Sequence, residues 1–122
     1  MKNEKFDIKY KKFEVEIYNK TVHFFKGKNM DKLIKKAEKK LNSQFNIEGS
    51  YDGLFIVEND KDFIILLESK KDKVFEDSVL HHECNHATFL ILESKGIPIN
   101  LNNDETFCYL SQYLFRKCKS NI

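Results

Sequence analysis

Two short apolar runs in the middle of the chain, GLFIV at residues 53–57 and FIILLE at residues 63–68, constrain the fold most strongly. Each run has the length of a β-strand, and the polar segment ENDKD between them is typical of a short connection. Runs that are apolar throughout are typical of strands that are buried rather than half exposed. We therefore predict a hairpin that other elements must cover.

Alternation of apolar and polar residues predicts strands in the first quarter of the chain as well. A turn at Asn19 and Lys20 would lead into a partner strand, TVHFF. A helix through about Leu41 should follow, capped by Asn29 or by Asp31. The alternating apolar positions are Phe6, Ile8, Tyr10, Phe13, Val15 and Ile17.

Helical periodicity governs the chain from about Asp72 onward. A long helix should end near Gly96, which suits the position after a helix, and Pro98 prevents its continuation. Asn103 or Asp104 can cap a second helix, whose core side is marked by Phe107, Leu110 and Leu114. The long helix carries two stripes, Phe75, Val79, His82, His86 and Phe89 on one and Leu80, Ala87 and Ile91 on the other.

These patterns predict one α+β domain over residues 1–122, with antiparallel strands, a helix, a hairpin and two C-terminal helices. We interpret the stripe that contains His82 and His86 as facing the core. Buried imidazoles need partners, and a metal ion would supply one.

Composition narrows the class of protein. A chain of 122 residues, 41% of them hydrophobic, can build a single core. No apolar run approaches the roughly 18 residues of a membrane span, and the charged start MKNEKFDIKYKK lacks the apolar region of a secretory signal. Cys84, Cys108 and Cys118 have no framework spacing, which fits reduced thiols. We expect a cytoplasmic protein without a membrane partner.

The charge of the chain is unevenly distributed. Residues 1–50 hold thirteen lysines against seven acids, whereas residues 51–122 hold eight basic residues against twelve acids. A basic half can bind nucleic acid. The lysines are interleaved with acids and apolar residues, so we interpret them as a solvated face and expect no nucleic-acid partner.

The segment HHECNHA at residues 81–87 contains an H-E-x-x-H pattern in the middle of the long helix. Residues four apart share a helix face, so His82 and His86 can point at one zinc ion, at about 2.0–2.1 Å. Glu83 lies one position along and suits a general base that acts on a metal-bound water. His81 lacks this geometry, because its partner four residues on is Asn85. The pattern also occurs by chance on helices, but its place after a buried hairpin favours a metal site.

A catalytic zinc ion keeps three protein ligands and one open position. We prefer Glu105, in the segment NDET, as the third ligand, with Asp104 as the alternative. The link GIPINLNND has nine residues and spans at most about 30 Å, so the chain can return to the histidines. Both acids would equally suit the first turn of a helix, where they complement the macrodipole.

The segment HECNHA, followed nineteen positions after His86 by Glu105, resembles the gluzincin metallopeptidases, which carry HExxH on one helix and a glutamate ligand on the next. The short chain is similar to minimal members and to small HExxH proteins of bacterial and phage genomes. The resemblance covers roughly residues 51–118 and implies a zincin-like domain. It implies His82, His86 and Glu105 as zinc ligands and Glu83 as the base in hydrolysis of a peptide or protein substrate.

The chain also departs from that family. Tyr109 stands where thermolysin-like members carry an aspartate, and no downstream domain supplies groups for the transition state. Tyr109 could orient a ligand, although packed aromatic surface is the preferred interpretation. A zinc-stabilised interaction protein without turnover is therefore the alternative function, and a basic nucleic-acid-binding module is a less favoured one.

Other residues give weaker signals. Cys84 should face away from the metal, Cys108 is interpreted as a core thiol, and His23 as a histidine satisfied by its surroundings. The strand FIILLE either borders the cleft, where it could bind an extended substrate, or is an interior strand without a free edge.

Overall fold

The computed structural model describes residues 8–120, so the predicted strand position Phe6 lies outside the described residues. Four strands form one sheet, one helix covers one face of it, and two helices cover the other. In chain order, the elements are β1 (Lys9–Val15), a 3₁₀ turn (Glu16–Tyr18), β2 (Lys20–Gly27), α1 (Met30–Leu41), β3 (Gly53–Val57), β4 (Asp62–Glu68), α2 (Lys73–Ser94) and α3 (Asp104–Lys119).

The sheet has the spatial order β1-β2-β4-β3. Its two outer pairs are the predicted antiparallel hairpins, but β2 and β4 run parallel to each other at the centre. The α+β class is therefore confirmed, and the expectation of purely antiparallel strands is wrong. The reason is the connection through α1, because a crossover between hairpins allows a parallel pairing that a tight turn cannot make.

Both faces of the sheet are buried, and this explains the sequence patterns. Tyr10 packs with the core on the α1 side, whereas Phe13 packs with the core under α2 and α3. The buried residues of β1 therefore switch from even to odd positions along the strand. This switch interrupts the apolar–polar alternation of the sequence, because each face of the sheet has its own core. The predicted strand position Ile17 is wrong, because β1 ends at Val15 and Ile17 is 85% exposed.

The helices begin close to the predicted positions, and the caps of α1 and α3 are among the predicted alternatives. The side chain of Asn29 accepts a hydrogen bond from the amide of Lys32 and begins α1. Asp72 accepts from two amides at the start of α2, and Gly96 follows that helix with a φ of 70°. Asn103 is the N-cap residue of α3. Within residues 8–120, no helix is long and apolar enough to cross a membrane.

The orientation of α2 overturns one expectation. The face that packs on the sheet carries Leu80, Cys84, Ala87 and Ile91, all fully buried. The stripe that contains His82 and His86 points outward, and its two ends, Phe75 and Phe89, are 43% and 48% exposed. The sequence contains two apolar stripes on this helix. The sheet covers the stripe of Leu80, Ala87 and Ile91 and leaves the stripe with the histidines uncovered. The histidines are thus accessible to solvent.

A buried carboxylate fixes the start of α2 against the sheet. Glu76 is 1% exposed and accepts from the ammonium of Lys26 on β2 at 3.2 Å and from the amide of Lys70 at 2.9 Å. Burial opposes its charge, but these donors outweigh it and hold the pKa of Glu76 below its usual range. The ammonium of Lys70 also binds Asp52 at 2.7 Å. The start of α2 is therefore tied to the start of β3.

A chain of three polar side chains crosses the α1 face of the sheet from β1 to β4. The imidazole of His23 contacts Asp62 through Nε2 at 3.0 Å and the hydroxyl of Tyr10 through Nδ1 at 2.9 Å. Since the carboxylate can only accept, Nε2 carries the proton and Tyr10 donates to Nδ1. The expectation that His23 is a satisfied histidine is confirmed. The hydrogen bond from His23 lowers the pKa of Asp62.

We predict that Asp62→Asn lowers the free energy of unfolding at neutral pH by about 1 kcal/mol, because the charged hydrogen bond to His23 is lost. A lowered pKa in the folded state means that the contribution is present above the unfolded value, about pH 4, and fades as the pH falls below it. Urea unfolding at pH 7 and pH 3 measures both effects. Asp60→Asn, in the same turn, should change neither, and an equal loss in both variants would contradict the prediction.

Candidate metal centre

His82 and His86 lie one turn apart on the exposed face of α2, and their Nε2 atoms are 3.1 Å apart. Two zinc–nitrogen bonds of about 2.0–2.1 Å that meet near the tetrahedral angle place the nitrogens about 3.3 Å apart. A hydrogen bond between two neutral imidazoles has a similar length. The pair therefore fits two ligands of a single zinc ion without a change of backbone.

The edge strand β3 sets the orientation of the second histidine. The ring of Phe55 stacks on His86, with centroids 6.3 Å apart and planes 16° apart. Phe55 is itself held edge-on by Phe63 of β4, with centroids 5.6 Å apart. The imidazole of His86 thus stacks on an aromatic side chain of the sheet.

Glu83 is buried between α2 and β3, with 6% of its surface exposed. Within residues 8–120, no fully buried side-chain oxygen lacks a partner, so the oxygens of Glu83, which form no hydrogen bond or ion pair with these residues, must reach solvent at the cleft. Burial raises the pKa of Glu83, and the nearby His82 offsets part of that rise. A carboxyl group beside a histidine pair can accept a proton and return it.

Gly53, the first residue of β3, allows this arrangement. A Cβ atom at this position would lie 2.6 Å from Cγ1 of Val79 and 3.2 Å from Cγ and Oε2 of Glu83. The first distance is shorter than real contacts allow, so any larger residue would push β3 away from α2. The absence of a side chain lets the strand approach the carboxylate directly.

Two adjoining clefts lie beside the histidine pair, between β3 and α2, with volumes of about 340 and 370 Å³. Both clefts are bordered by Gly53, His82 and Glu83. The other residues that line the larger cleft are Asp52, Phe75, Ser78 and Val79. The other residues that line the smaller cleft are Tyr51, Leu54, Phe55 and His86. A substrate in either cleft would touch the carboxylate of Glu83.

β3 also has a free backbone edge in the described sheet. Its pairing with β4 includes hydrogen bonds from the Glu68 amide to the Asp52 carbonyl and from the Glu58 amide to the Asp62 carbonyl. In an antiparallel pair alternate residues bond inward, so Gly53, Phe55 and Val57 direct their amides and carbonyls outward. β4 lies between β2 and β3, so of the two alternatives for FIILLE, the interior strand is correct.

Glu105 is not brought together with the histidine pair. α2 and α3 run antiparallel, since Ser111 donates to Asn85 at 2.6 Å and Phe115 stacks on His81. Glu105 is six residues before Ser111, so it is level with the part of α2 about five residues, or about 7 Å, beyond His86. In residues 8–120, no group of three or more histidine, cysteine, aspartate or glutamate side chains is arranged to hold a metal ion.

The remaining residues singled out by the sequence have other surroundings. His81 stacks on Phe115 with centroids 3.9 Å apart. Cys84 is buried and faces away from the histidines, as expected, and its hydrogen bond with Cys118 and its burial raise the pKa of its thiol. Cys108 is exposed, so its interpretation as a core thiol is wrong, because the buried face of α3 carries Leu110, Leu114 and Cys118 instead.

Tyr109 is two-thirds exposed and borders an apolar groove with Ile17 of the 3₁₀ turn. The groove lies beside the end of β1, on the opposite edge of the sheet from β3. The preferred interpretation of Tyr109 as aromatic surface is confirmed.

Sequence reasoning missed Gly53 and Phe55, the two residues of β3 that shape the cleft. The signal for Gly53 was a glycine at the first position of an otherwise bulky strand, GLFIV, which is unusual because glycine weakens strands. Nothing in the sequence pairs Phe55 with His86, because that contact depends on how α2 crosses the sheet.

Comparisons with protein-family models, with curated proteins and with solved structures found no match to this chain.

We predict that the protein binds one zinc ion per chain and that His82→Ala or His86→Ala weakens the affinity by more than about 100-fold, because each change removes a direct ligand. His81→Ala is the matched control and should keep the wild-type affinity. Competitive titration with a chromogenic chelator measures all three variants. The affinity should fall as the pH is lowered, since imidazole binds zinc only when neutral. Equal affinity in His81→Ala and His82→Ala would contradict the assignment.

Proposed function

We propose that this protein is a zinc-dependent metallopeptidase, a hydrolase that cleaves peptide bonds in a peptide or protein substrate. The observation that carries the proposal is the histidine pair, with Nε2 atoms 3.1 Å apart, beside the largely buried side chain of Glu83 at the same cleft. A metal ligand pair and a general base in one open cleft are the groups that metal-assisted hydrolysis requires. The zincin-like character of the domain is part of this proposal.

The donor set suits zinc. Two imidazole nitrogens at this separation match the borderline-soft character and the bond lengths of that ion. Zinc would supply a Lewis acid that polarises a carbonyl group and makes water more acidic. His82 and His86 would hold the ion, and Phe55 behind His86 would keep one ligand ring in place.

Glu83 would move the proton. Glu83 lines the cleft that it shares with the histidines, and burial raises the pKa of its carboxyl group. It would accept a proton from the attacking water and return it to the leaving amine. Because Glu83 has no competing partner within residues 8–120, its lone pairs are available for this transfer.

The free edge of β3 favours an extended peptide as substrate. The opposite edge strand, β1, carries the lysines Lys9, Lys11 and Lys12, which discourage pairing with another chain. β3 has the sequence GLFIV, without a charged residue, and its outward amides and carbonyls run beside the histidine cleft. A peptide could pair with this edge and place one of its bonds next to Glu83.

The openness of the site argues for catalysis rather than a purely structural zinc. A structural zinc ion usually joins separate segments through four ligands. Here both histidines stand on one exposed turn of α2, which needs no metal to hold it, because its other face is buried against the sheet. Glu105 remains our proposed third ligand, and it requires a shift of the start of α3 toward the pair.

The decisive variant is Glu83→Gln. The amide keeps the shape of the side chain, so zinc binding and thermal stability should stay close to wild type, but it cannot accept a proton from water. Cleavage of a broad peptide library should fall by about 10²–10⁴-fold. Glu93→Gln, an exposed glutamate on the same helix, is the matched control and should retain full activity.

Three results would contradict the proposed peptidase function. Equal cleavage by wild type and Glu83→Gln would show that another site or a contaminant is responsible. Zinc binding without cleavage in any sample would favour the zinc-stabilised interaction protein. Failure to bind zinc would remove both functions.

A further inference from the structure

The loop between the two C-terminal helices and the first turn of α3 are mostly exposed, although Thr106 in that turn lines the groove beside the 3₁₀ turn. Ile97 and Phe107 pack against the core under α2 and α3, and none of residues 98–106 between them is buried. Ile99 is 41% exposed and Leu101 is 91% exposed. We call residues 98–106 the approach segment; it contains Glu105.

The hydrogen bonds in the loop part of the approach segment join its own residues. The side chain of Asn100 accepts from the amides of Asn102 and Asn103, and the side-chain amide of Asn103 donates to the carbonyl of Pro98. Asn103 is the N-cap of α3, but its side chain makes no capping hydrogen bond. The segment is thus internally ordered but weakly held by the domain, which is typical of parts that open and close at low cost.

The outer face of α2 offers a surface on which the segment could close. Phe89 lies three residues beyond His86 on this face and is 48% exposed. It stands between the histidine pair and the level of Glu105. The exposed leucine on the segment and the exposed phenylalanine on the helix could remove apolar surface from water by packing against each other.

We propose that the approach segment closes over the outer face of α2 when zinc binds to His82 and His86, bringing Glu105 to the ion and Leu101 onto Phe89. This inference rests on the zinc site of the proposed function. Zinc drives the closure because it binds better to the arrangement that adds a carboxylate to two neutral imidazoles. The contact between Leu101 and Phe89 offsets part of the entropy lost when the segment is fixed.

Hydrogen exchange tests the closure without relying on activity. The amides of residues 99–106 should exchange at least about tenfold more slowly in zinc-loaded than in chelator-treated wild type. Glu105→Gln should bind zinc at least about tenfold more weakly and should lose this protection even at saturating zinc. Asp104→Asn, the neighbouring acid, should behave as wild type in both measurements.

A second pair of variants tests the apolar contact. Leu101→Ser should weaken zinc binding and reduce the zinc-dependent protection, because it removes surface that the closure buries. Ile17→Ser is the matched control: Ile17 is also an exposed apolar residue, but it lies in the 3₁₀ turn beside β1. It should leave zinc affinity unchanged.

The outcomes separate this inference from the function on which it rests. If zinc binds through the histidines while residues 99–106 exchange at the same rate, and Glu105→Gln binds as tightly as wild type, the closure is wrong and the metallopeptidase proposal survives. If zinc does not bind to the histidines at all, both proposals fall.

Discussion

The close packing of α2 against β3 at Gly53 is the contact on which the geometry of the candidate site depends. It buries most of the Glu83 side chain, and it sets Phe55 behind His86. The contact is held at its start by Glu76, whose buried carboxylate accepts from Lys26 and Lys70. Lys73 also contacts this carboxylate, but loss of the Lys26 ammonium would still weaken the compensation of a buried charge, which is destabilising. His82 and His86 can be exposed because this anchor lies elsewhere on α2.

α2 is apolar on two sides, and only one of them is used for the core. Leu80 and Ala87 are covered by the sheet, while Phe75 and Phe89 remain partly in contact with water. Phe75 lines one of the two clefts, and exposed apolar surface of this kind is typical of binding surfaces. The same arrangement leaves the histidines accessible, so a metal ion and a substrate could reach them without unfolding any element.

The sequence predicted the elements more reliably than their arrangement. The start of α1 is local chemistry, so the sequence could limit its cap to Asn29 or Asp31, and Asn29 is the cap. The parallel pairing of β2 with β4 and the exposed histidine stripe depend on packing between distant segments, which periodicity does not encode. The adjacency of His82 and His86 follows from helical spacing alone, whereas the distance of Glu105 from them depends on the path of residues 98–106.

The central claim is that His82 and His86 share one zinc ion, and X-ray absorption at the zinc edge tests it most directly. The spectrum of protein loaded with one equivalent of zinc should show two imidazole ligands and oxygen ligands at about 2.0–2.1 Å, with no sulfur at about 2.3 Å. The imidazole signal should be absent from the double variant His82→Ala/His86→Ala. A sulfur-rich shell, or an imidazole signal that persists in the double variant, would contradict the claim.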